Sequence, residues 1–301
     1  MGNYSEALRI VKKALEITGK NDRLEIGAEM ILEKIQQSKN ASKKNGMPVE
    51  ETDLCRFGAF PDSKRRQKMK GFKVWSACKY STNWNPSLAI RPIKSEVLSK
   101  SPFIEFWHQF LTDKEVDKLK ELGLSALKRS TVAGDTGYIE ASYRVSQSSW
   151  LDDSLNETVA ATSRRISDMT NFTRAGMETL QIANYGVGGH YQAHYDFAYE
   201  TDQSENAKAF LADGNRVATV LMYLSDVELG GTTAFIDVGI NVTPEKGGAV
   251  FWYNLDRNGS GIEETFHAAC PVLVGVKWVA NKWIKYNGQH HVYKCPIRLE
   301  E

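Results

Sequence analysis

His194 and Asp196 form an H-x-D pair in the stretch Gln181 to Tyr199 (QIANYGVGGHYQAHYDFAY), and a further histidine, His267, lies far downstream. Two neutral imidazoles and one carboxylate are the donor set that occupies one face of an octahedral Fe(II), leaving three positions open for oxygen chemistry. Two residues apart on extended chain, His194 and Asp196 project to the same side and can share one metal, whereas a helix would splay them. An isolated H-x-D also reads as a strand-end histidine beside a solvated acid. Lys277 shifts the balance. It lies in the apolar run PVLVGVKWVANKW, where a dehydrated ammonium is costly unless an anion meets it. A bound carboxylate is one such anion; the alternative is an edge-strand lysine that snorkels to water. Read as a strand, the run puts Lys277, Val279, Asn281 and Trp283 on one face, so that lysine and tryptophan line one cavity.

Four longer stretches, QIANYGVGGHYQAHYDFA, GNRVATVLMYLSDVELGGTTAF, KGGAVFWYNL and HAACPVLVGVKWVANKW, resemble the catalytic domain of collagen prolyl 4-hydroxylase α subunits. The likeness is strongest from Gln181 to Cys295, with weaker matches upstream. It implies that His194, Asp196 and His267 hold Fe(II) and that Lys277 binds the distal carboxylate of 2-oxoglutarate. It also implies that Tyr185 and Thr233 hydrogen-bond this co-substrate, that Tyr191 faces iron and peptide, and that Trp283 closes the pocket. On residue type alone, Tyr185 and Tyr191 also read as core aromatics with bonded hydroxyls, and Thr233 as a strand threonine. Arg144, in SYRVSQSSW, is either a peptide contact or a surface ion-pair partner. His190 departs from the family pattern. With His194 it makes H-x-x-x-H, a zinc motif on a helix, but Gly186, Gly188 and Gly189 argue against helix there, and it is assigned to the pocket rim.

The reaction implied by the resemblance is hydroxylation of peptidyl proline to 4-hydroxyproline in collagen-like sequence. It consumes O₂ and 2-oxoglutarate, releases succinate and CO₂, and uses L-ascorbate to rescue oxidised iron. The protein then supplies orientation and exclusion of water. Two other readings stay open. One is hydroxylation of another proline-rich secreted protein, or of lysine; the other is a non-catalytic assembly subunit that only binds peptide. Assembly with a protein disulfide isomerase β subunit is a further implication of the family.

The elements that must position these residues are legible in outline. Thr112 to Leu127 reads as a helix with Thr112 and Glu115 as a capping box, and Asn156 to Thr170 as a second. Apolar runs predict strands at Thr179 to Tyr185, Arg216 to Leu224, Thr232 to Ile236, Gly248 to Tyr253 and Val276 to Tyr286, separated by Gly, Asn and Asp turns. Helices followed by many short strands indicate an α+β fold, a double-stranded β-helix or jelly roll with helices packed outside. Gly230-Gly231 reads as a tight strand turn, with neither G-x-G-x-x-G nor a P-loop lysine nearby.

Upstream, Gly2 to Ile17 and the segment from Asp22 carry helical apolar stripes, a short hairpin resembling the end of a tetratricopeptide repeat. A lone repeat unit cannot bury its stripe by itself. The domain plan is therefore a helical hairpin at 1–38, a linker and irregular disulfide-containing segment at 39–100, and a jelly-roll dioxygenase domain at 101–301.

With 38 basic against 37 acidic residues, the chain has no overall field for nucleic acid or an anionic membrane. The basic run Lys64 to Lys73 (KRRQKMKGFK) reads as a solvated face, and no run of roughly 18 apolar residues predicts a membrane span. The four cysteines allow three connectivities, or four reduced thiols. The resemblance favours Cys55 with Cys78 and Cys270 with Cys295. Six N-x-S/T sequons, at Asn3, Asn40, Asn156, Asn171, Asn241 and Asn258, with the cysteines, point to a glycoprotein of an oxidising secretory compartment, which the resemblance implies is the endoplasmic reticulum lumen. Met1 to Ile10 shows no apolar signal region.

Overall fold

A computed structural model describes residues 54–55, 77–134, 137–139, 141–202, 204–289 and 291–293. The hairpin at 1–38, the run Lys64 to Lys73 and Cys295 lie outside these described residues. The principal strands are β1 (Ala77–Ser81), β2 (Ile93–Lys100), β3 (Phe103–His108), β4 (Lys128–Arg129), β5 (Arg144–Val145), β6 (Gln147–Leu151) and β7 (Leu180–Tyr185). They continue with β8 (His190–His194), β9 (Arg216–Tyr223), β10 (Thr233–Phe235), β11 (Ile240–Val242), β12 (Ala249–Tyr253), β13 (His267–Ala269) and β14 (Lys277–Lys285). Nine of them form one sheet in the order β1-β2-β3-β12-β9-β14-β7-β6-β4, and five form another in the order β11-β10-β13-β8-β5.

The two sheets share a core. Ala183, Tyr185, Leu221, Tyr223, Val250, Trp252 and Val279 of the larger sheet pack with Phe235 and Val242 of the smaller, as in a jelly roll. Alternate residues of the larger sheet, among them Ala218, Val220, Met222, Ala280 and Ile284, face the other way. There they meet Val116 and Leu119 of α2 (Asp113–Leu124) and Val159 and Ile166 of α3 (Glu157–Thr170). Packed on both sides, β9 is buried without a break from Val217 to Tyr223 rather than in alternation, and Thr219 interrupts its apolar run. Thr112 and Glu115 form the predicted capping box of α2, and Asn156 caps α3 through the Thr158 amide. Two shorter helices, α1 (Pro86–Ala89) and α4 (Glu205–Ala212), sit in connections. Among the described residues no helix is long and apolar enough to cross a membrane.

Two features depart from the sequence reading. The stretch from 77 to 100, expected to be irregular, supplies β1 and β2 and extends the larger sheet. In β2 the inward positions are Ile93, Ser95, Val97 and Ser99; serine at every other buried site hides the apolar alternation that marks a strand. The disulfide joins Cys55 to Cys270, not Cys55 to Cys78, and Cys78 is an exposed thiol. Leu54 packs with Ala234, Ile236 and Ala268, and its carbonyl accepts from Asn241 Nδ2 at 2.8 Å. That contact delivers Cys55 to the residue following β13.

Candidate active site

β8 and β13 are neighbours, and His194 stands directly opposite His267 across a ladder whose register shifts between Tyr191 and His194. Asp196 follows two residues beyond β8. His194 Nε2 lies 3.8 Å from Asp196 Oδ1 and His267 Nε2 lies 3.8 Å from Oδ2. One donor atom from each residue falls within 4.8 Å of the others, close enough to share an ion.

Tautomers are set by the backbone. His194 Nδ1 is 2.8 Å from the Gln192 carbonyl, and His267 Nδ1 is 2.9 Å from that of Thr265. A carbonyl only accepts, so each Nδ1 carries the proton and each Nε2 lone pair is left for a metal. Burial and the neighbouring His267 push His194 down to about 3, which keeps it neutral near pH 7. Burial acts to raise the Asp196 pKa, but His267, His194, Arg216 and the Thr219 hydroxyl outweigh it and hold the carboxyl below its usual range. Thr219 Oγ1 donates to Asp196 Oδ2 at 2.7 Å and accepts from Asn254 Nδ2 at 2.8 Å. Aromatic walls surround the trio. Tyr191 stacks on His194 at 3.7 Å between ring centroids, and Trp252 meets His267 edge-on at 4.9 Å.

Lys277 sits on β14 opposite Tyr185 of β7, with 1% of its surface exposed. Among the described residues its Nζ approaches the Thr232 carbonyl and Thr233 Oγ1, both at 3.5 Å, and the rings of Tyr185 and Tyr223 at 5.6 and 5.8 Å. These are long contacts for an ammonium, and no carboxylate meets it among the described residues. Burial lowers its pKa to about 7. Thr233 belongs to β10, where Phe235 stands opposite His267, so one strand touches both the lysine and a histidine of the trio. Tyr223, which the sequence reading did not single out, donates its hydroxyl to Thr233 Oγ1 at 2.8 Å. Its position opposite Val279, on the face that carries Lys277, was the available signal.

Arg144 is not a surface ion-pair residue. It is buried, donates to the Thr131 carbonyl at 3.0 Å and to Gln181 Oε1 at 3.2 Å, and lies 4.8 Å over the Tyr191 ring. Gln181, also missed, accepts at 3.2 Å from Nδ2 of Asn281, which the strand reading places on the Lys277 face. Burial raises the Tyr191 phenol to about 12, so it stays protonated. Trp283 stands opposite Thr219, the residue that bonds Asp196, and roughly 20 Å along the strand from Lys277. The Arg216 guanidinium covers its ring at 3.9 Å and is held by Glu178 at 2.6 and 2.8 Å. His190 places Nδ1 on the Gly188 carbonyl at 2.9 Å and is not one of the three grouped ligands.

The 2OG-Fe(II) oxygenase superfamily matches residues 180–285, a span holding the trio and Lys277. The chain therefore holds a 2OG-Fe(II) oxygenase domain. The chain is 47% identical over 217 residues to prolyl 4-hydroxylase subunit alpha-2 of Caenorhabditis elegans, covering 71% of this chain and 40% of that protein. It is 38% identical over 324 residues to subunit alpha-1 of Mus musculus, covering 100% of this chain and 59% of that protein. The chain thus spans about half the length of the curated relatives it matches. Among solved structures it is similar to the viral collagen prolyl hydroxylase vCPH from Paramecium Bursaria Chlorella virus-1 in its 2OG complex. That likeness has 26% identity and a TM-score of 0.49, over 60% of this chain and 95% of the viral one. The residues fit the metal and co-substrate of such a domain: two Nε2 lone pairs and a carboxylate converge, and among the described residues the buried ammonium has no anion.

Proposed function

We propose that this chain hydroxylates peptidyl proline to 4-hydroxyproline in collagen-like sequence, as an Fe(II)- and 2-oxoglutarate-dependent dioxygenase that releases succinate and CO₂. One observation carries the reading: the His194, Asp196, His267 group lies between the same two sheets as an ammonium that has no partner carboxylate among the described residues. The names of the relatives, prolyl 4-hydroxylase subunits at 38 to 47% identity, support the proline assignment.

His194 and His267 offer Nε2 and Asp196 a carboxylate oxygen to iron, which with 2-oxoglutarate and O₂ supplies the power to convert C–H to C–OH. Thr219 fixes the carboxylate's orientation. Lys277 neutralises the distal carboxylate of 2-oxoglutarate, and the hydroxyls of Thr233 and Tyr185 give it hydrogen bonds. Tyr191 and Arg144 meet the peptide, with the guanidinium already oriented by Gln181. Trp283 closes the opening on the metal side. The apolar walls of Trp252 and Phe235 exclude water, which strengthens each charged contact. Ascorbate keeps the iron ferrous.

Assembly with a disulfide-isomerase β subunit and residence in the endoplasmic reticulum lumen belong to the same proposal. They are supported by the relatives being named subunits, by the Cys55–Cys270 disulfide and by the six sequons. The hairpin at 1–38 is proposed as a repeat remnant preceding the oxygenase domain, to whose larger sheet 77–100 contributes β1 and β2.

The test is an assay with Fe(II), 2-oxoglutarate, ascorbate and a Pro-Pro-Gly repeat peptide, following succinate and the gain of one oxygen on proline. Peptide-dependent release of both products is expected. Succinate formed only with a lysine peptide would move the substrate, and no turnover with either would reject the reaction.

A further inference from the structure

On the helix-covered side of the larger sheet, a cavity of about 550 Å³ opens between α1 and α3. Arg91, Arg164, Arg165 and Arg174 line it against one carboxylate, Asp168. Arg164 pairs with Glu157 and Arg165 with Glu115. Arg91 donates only to the Gln109 carbonyl, at 3.3 Å, and among the described residues no carboxylate pairs with Arg91 or Arg174. Asp168 is committed elsewhere. Its Oδ1 accepts from Asn85 Nδ2 at 2.8 Å and its carbonyl from Asn83 Nδ2 at 3.0 Å. Those bonds anchor the turn before α1, in which Asn83 (φ 46°) and Trp84 (φ 54°) both adopt left-handed backbone, a costly arrangement for a bulky side chain. The result is an indole held in water: Trp84 is 99% exposed, and Ile90, at the other end of α1, is 95% exposed.

We propose that this surface docks an acidic segment of a partner polypeptide, with apolar side chains on Trp84 and Ile90 and carboxylates among the four guanidiniums. Tryptophan and arginine are the residues that most often dominate the energy of protein interfaces, because each desolvates a large area while keeping directional contacts. Charge selects the class of partner. The lining carries a positive excess, so an acidic chain is attracted. The chain's own run Lys64 to Lys73 has the same sign as the cavity and is repelled. A free oxyanion satisfies the guanidiniums but leaves Trp84 and Ile90 in water.

The full chain is titrated into a fluorescein-labelled peptide of repeating Glu-Glu-Leu, beside a Gln-Gln-Leu control, and anisotropy is read. Saturable, salt-sensitive binding of the acidic peptide alone is expected. The double variant Arg91→Glu, Arg174→Glu should weaken it about tenfold or more, and Trp84→Ser severalfold. Peptide-dependent succinate formation should stay unchanged in both. Equal binding of the glutamine control, or no effect of charge reversal, overturns the proposal. Displacement by millimolar inorganic phosphate, together with full binding by Trp84→Ser, also overturns it and assigns the cavity to a small oxyanion.

Discussion

Asp196 and Lys277 are both charged and both buried between the sheets, yet their surroundings are opposite. Asp196 has a hydroxyl donor, Thr219, itself held by Asn254, and two imidazoles whose tautomers are fixed by carbonyls. Lys277 has two long contacts and two aromatic rings. The metal end is preorganised before any ion arrives; the lysine end stays electrostatically incomplete until an anion does. Changes at the first should act on the metal and abolish turnover, whereas changes at the second should act on co-substrate affinity alone.

The largest effect is expected from Asp196→Ala. Losing one of three donors should cut peptide-dependent succinate formation on the order of a thousandfold or more and abolish tight Fe(II) binding in an anaerobic titration, with the melting transition retained. Turnover at the wild-type rate would sink the iron assignment.

Lys277→Ala comes next, and it must behave differently. Removing one partner of a buried charge pair costs about 2–5 kcal/mol, so the 2-oxoglutarate requirement should rise by roughly a hundredfold while Fe(II) affinity without co-substrate is unchanged. The pH dependence sharpens the contrast. With the free ammonium's pKa lowered to about 7 by burial, binding a carboxylate above pH 7 requires proton uptake. Co-substrate affinity should then fall by up to about tenfold per pH unit, a slope absent in the variant. Stability runs the other way. Between about 7 and the ordinary lysine value the unfolded chain binds more protons than the folded one, so the destabilisation due to this lysine is full below pH 7 and fades as pH rises. Lys277→Met should flatten that part of the profile in denaturant melts.

The sequence exposed the two ends of the site unequally. The metal trio was legible because its chemistry is written in residue type and in the spacing of His194 and Asp196. Lys277 was legible because charge is rare in so apolar a run. The groups that finish each end were not. Thr219 and Asn254 are ordinary polar residues in β9 and just past β12, and only the pairing of those strands brings them together. Tyr223 looks like any strand aromatic until its hydroxyl is seen on Thr233. The predicted β9, β12 and β14 match the observed strands to within a residue at either end; β2 escaped because serines fill two of its buried positions. Arg144 escaped as a buried group because arginine is normally exposed, and its acceptors, Thr131 and Gln181, are distant in sequence.

Thr219→Val tests the preorganisation of the metal end. It removes the donor to Asp196 Oδ2 and leaves the Asn254 amide without its acceptor. Loss of such an outer support typically costs roughly 10- to 100-fold in metal affinity, and Fe(II) titration should show it. Co-substrate affinity at saturating iron should stay near wild type. An equal loss in both would mean that the two ends are not independent.

Tyr223→Phe should give the smallest change, confined to the lysine end. While Tyr223 donates to Thr233 Oγ1, the threonine's own hydroxyl proton remains available for a carboxylate bound at Lys277. Without the phenol that hydroxyl loses its fixed orientation, and one buried hydrogen bond of about 0.5–1.5 kcal/mol is lost. The expected outcome is a two- to tenfold weaker 2-oxoglutarate affinity, with Fe(II) affinity and the pH slope set by Lys277 preserved. A change in Fe(II) affinity as large as that in 2-oxoglutarate would show strain passing along β10 to His267, and the separation of the two ends would fail at the one strand that touches both.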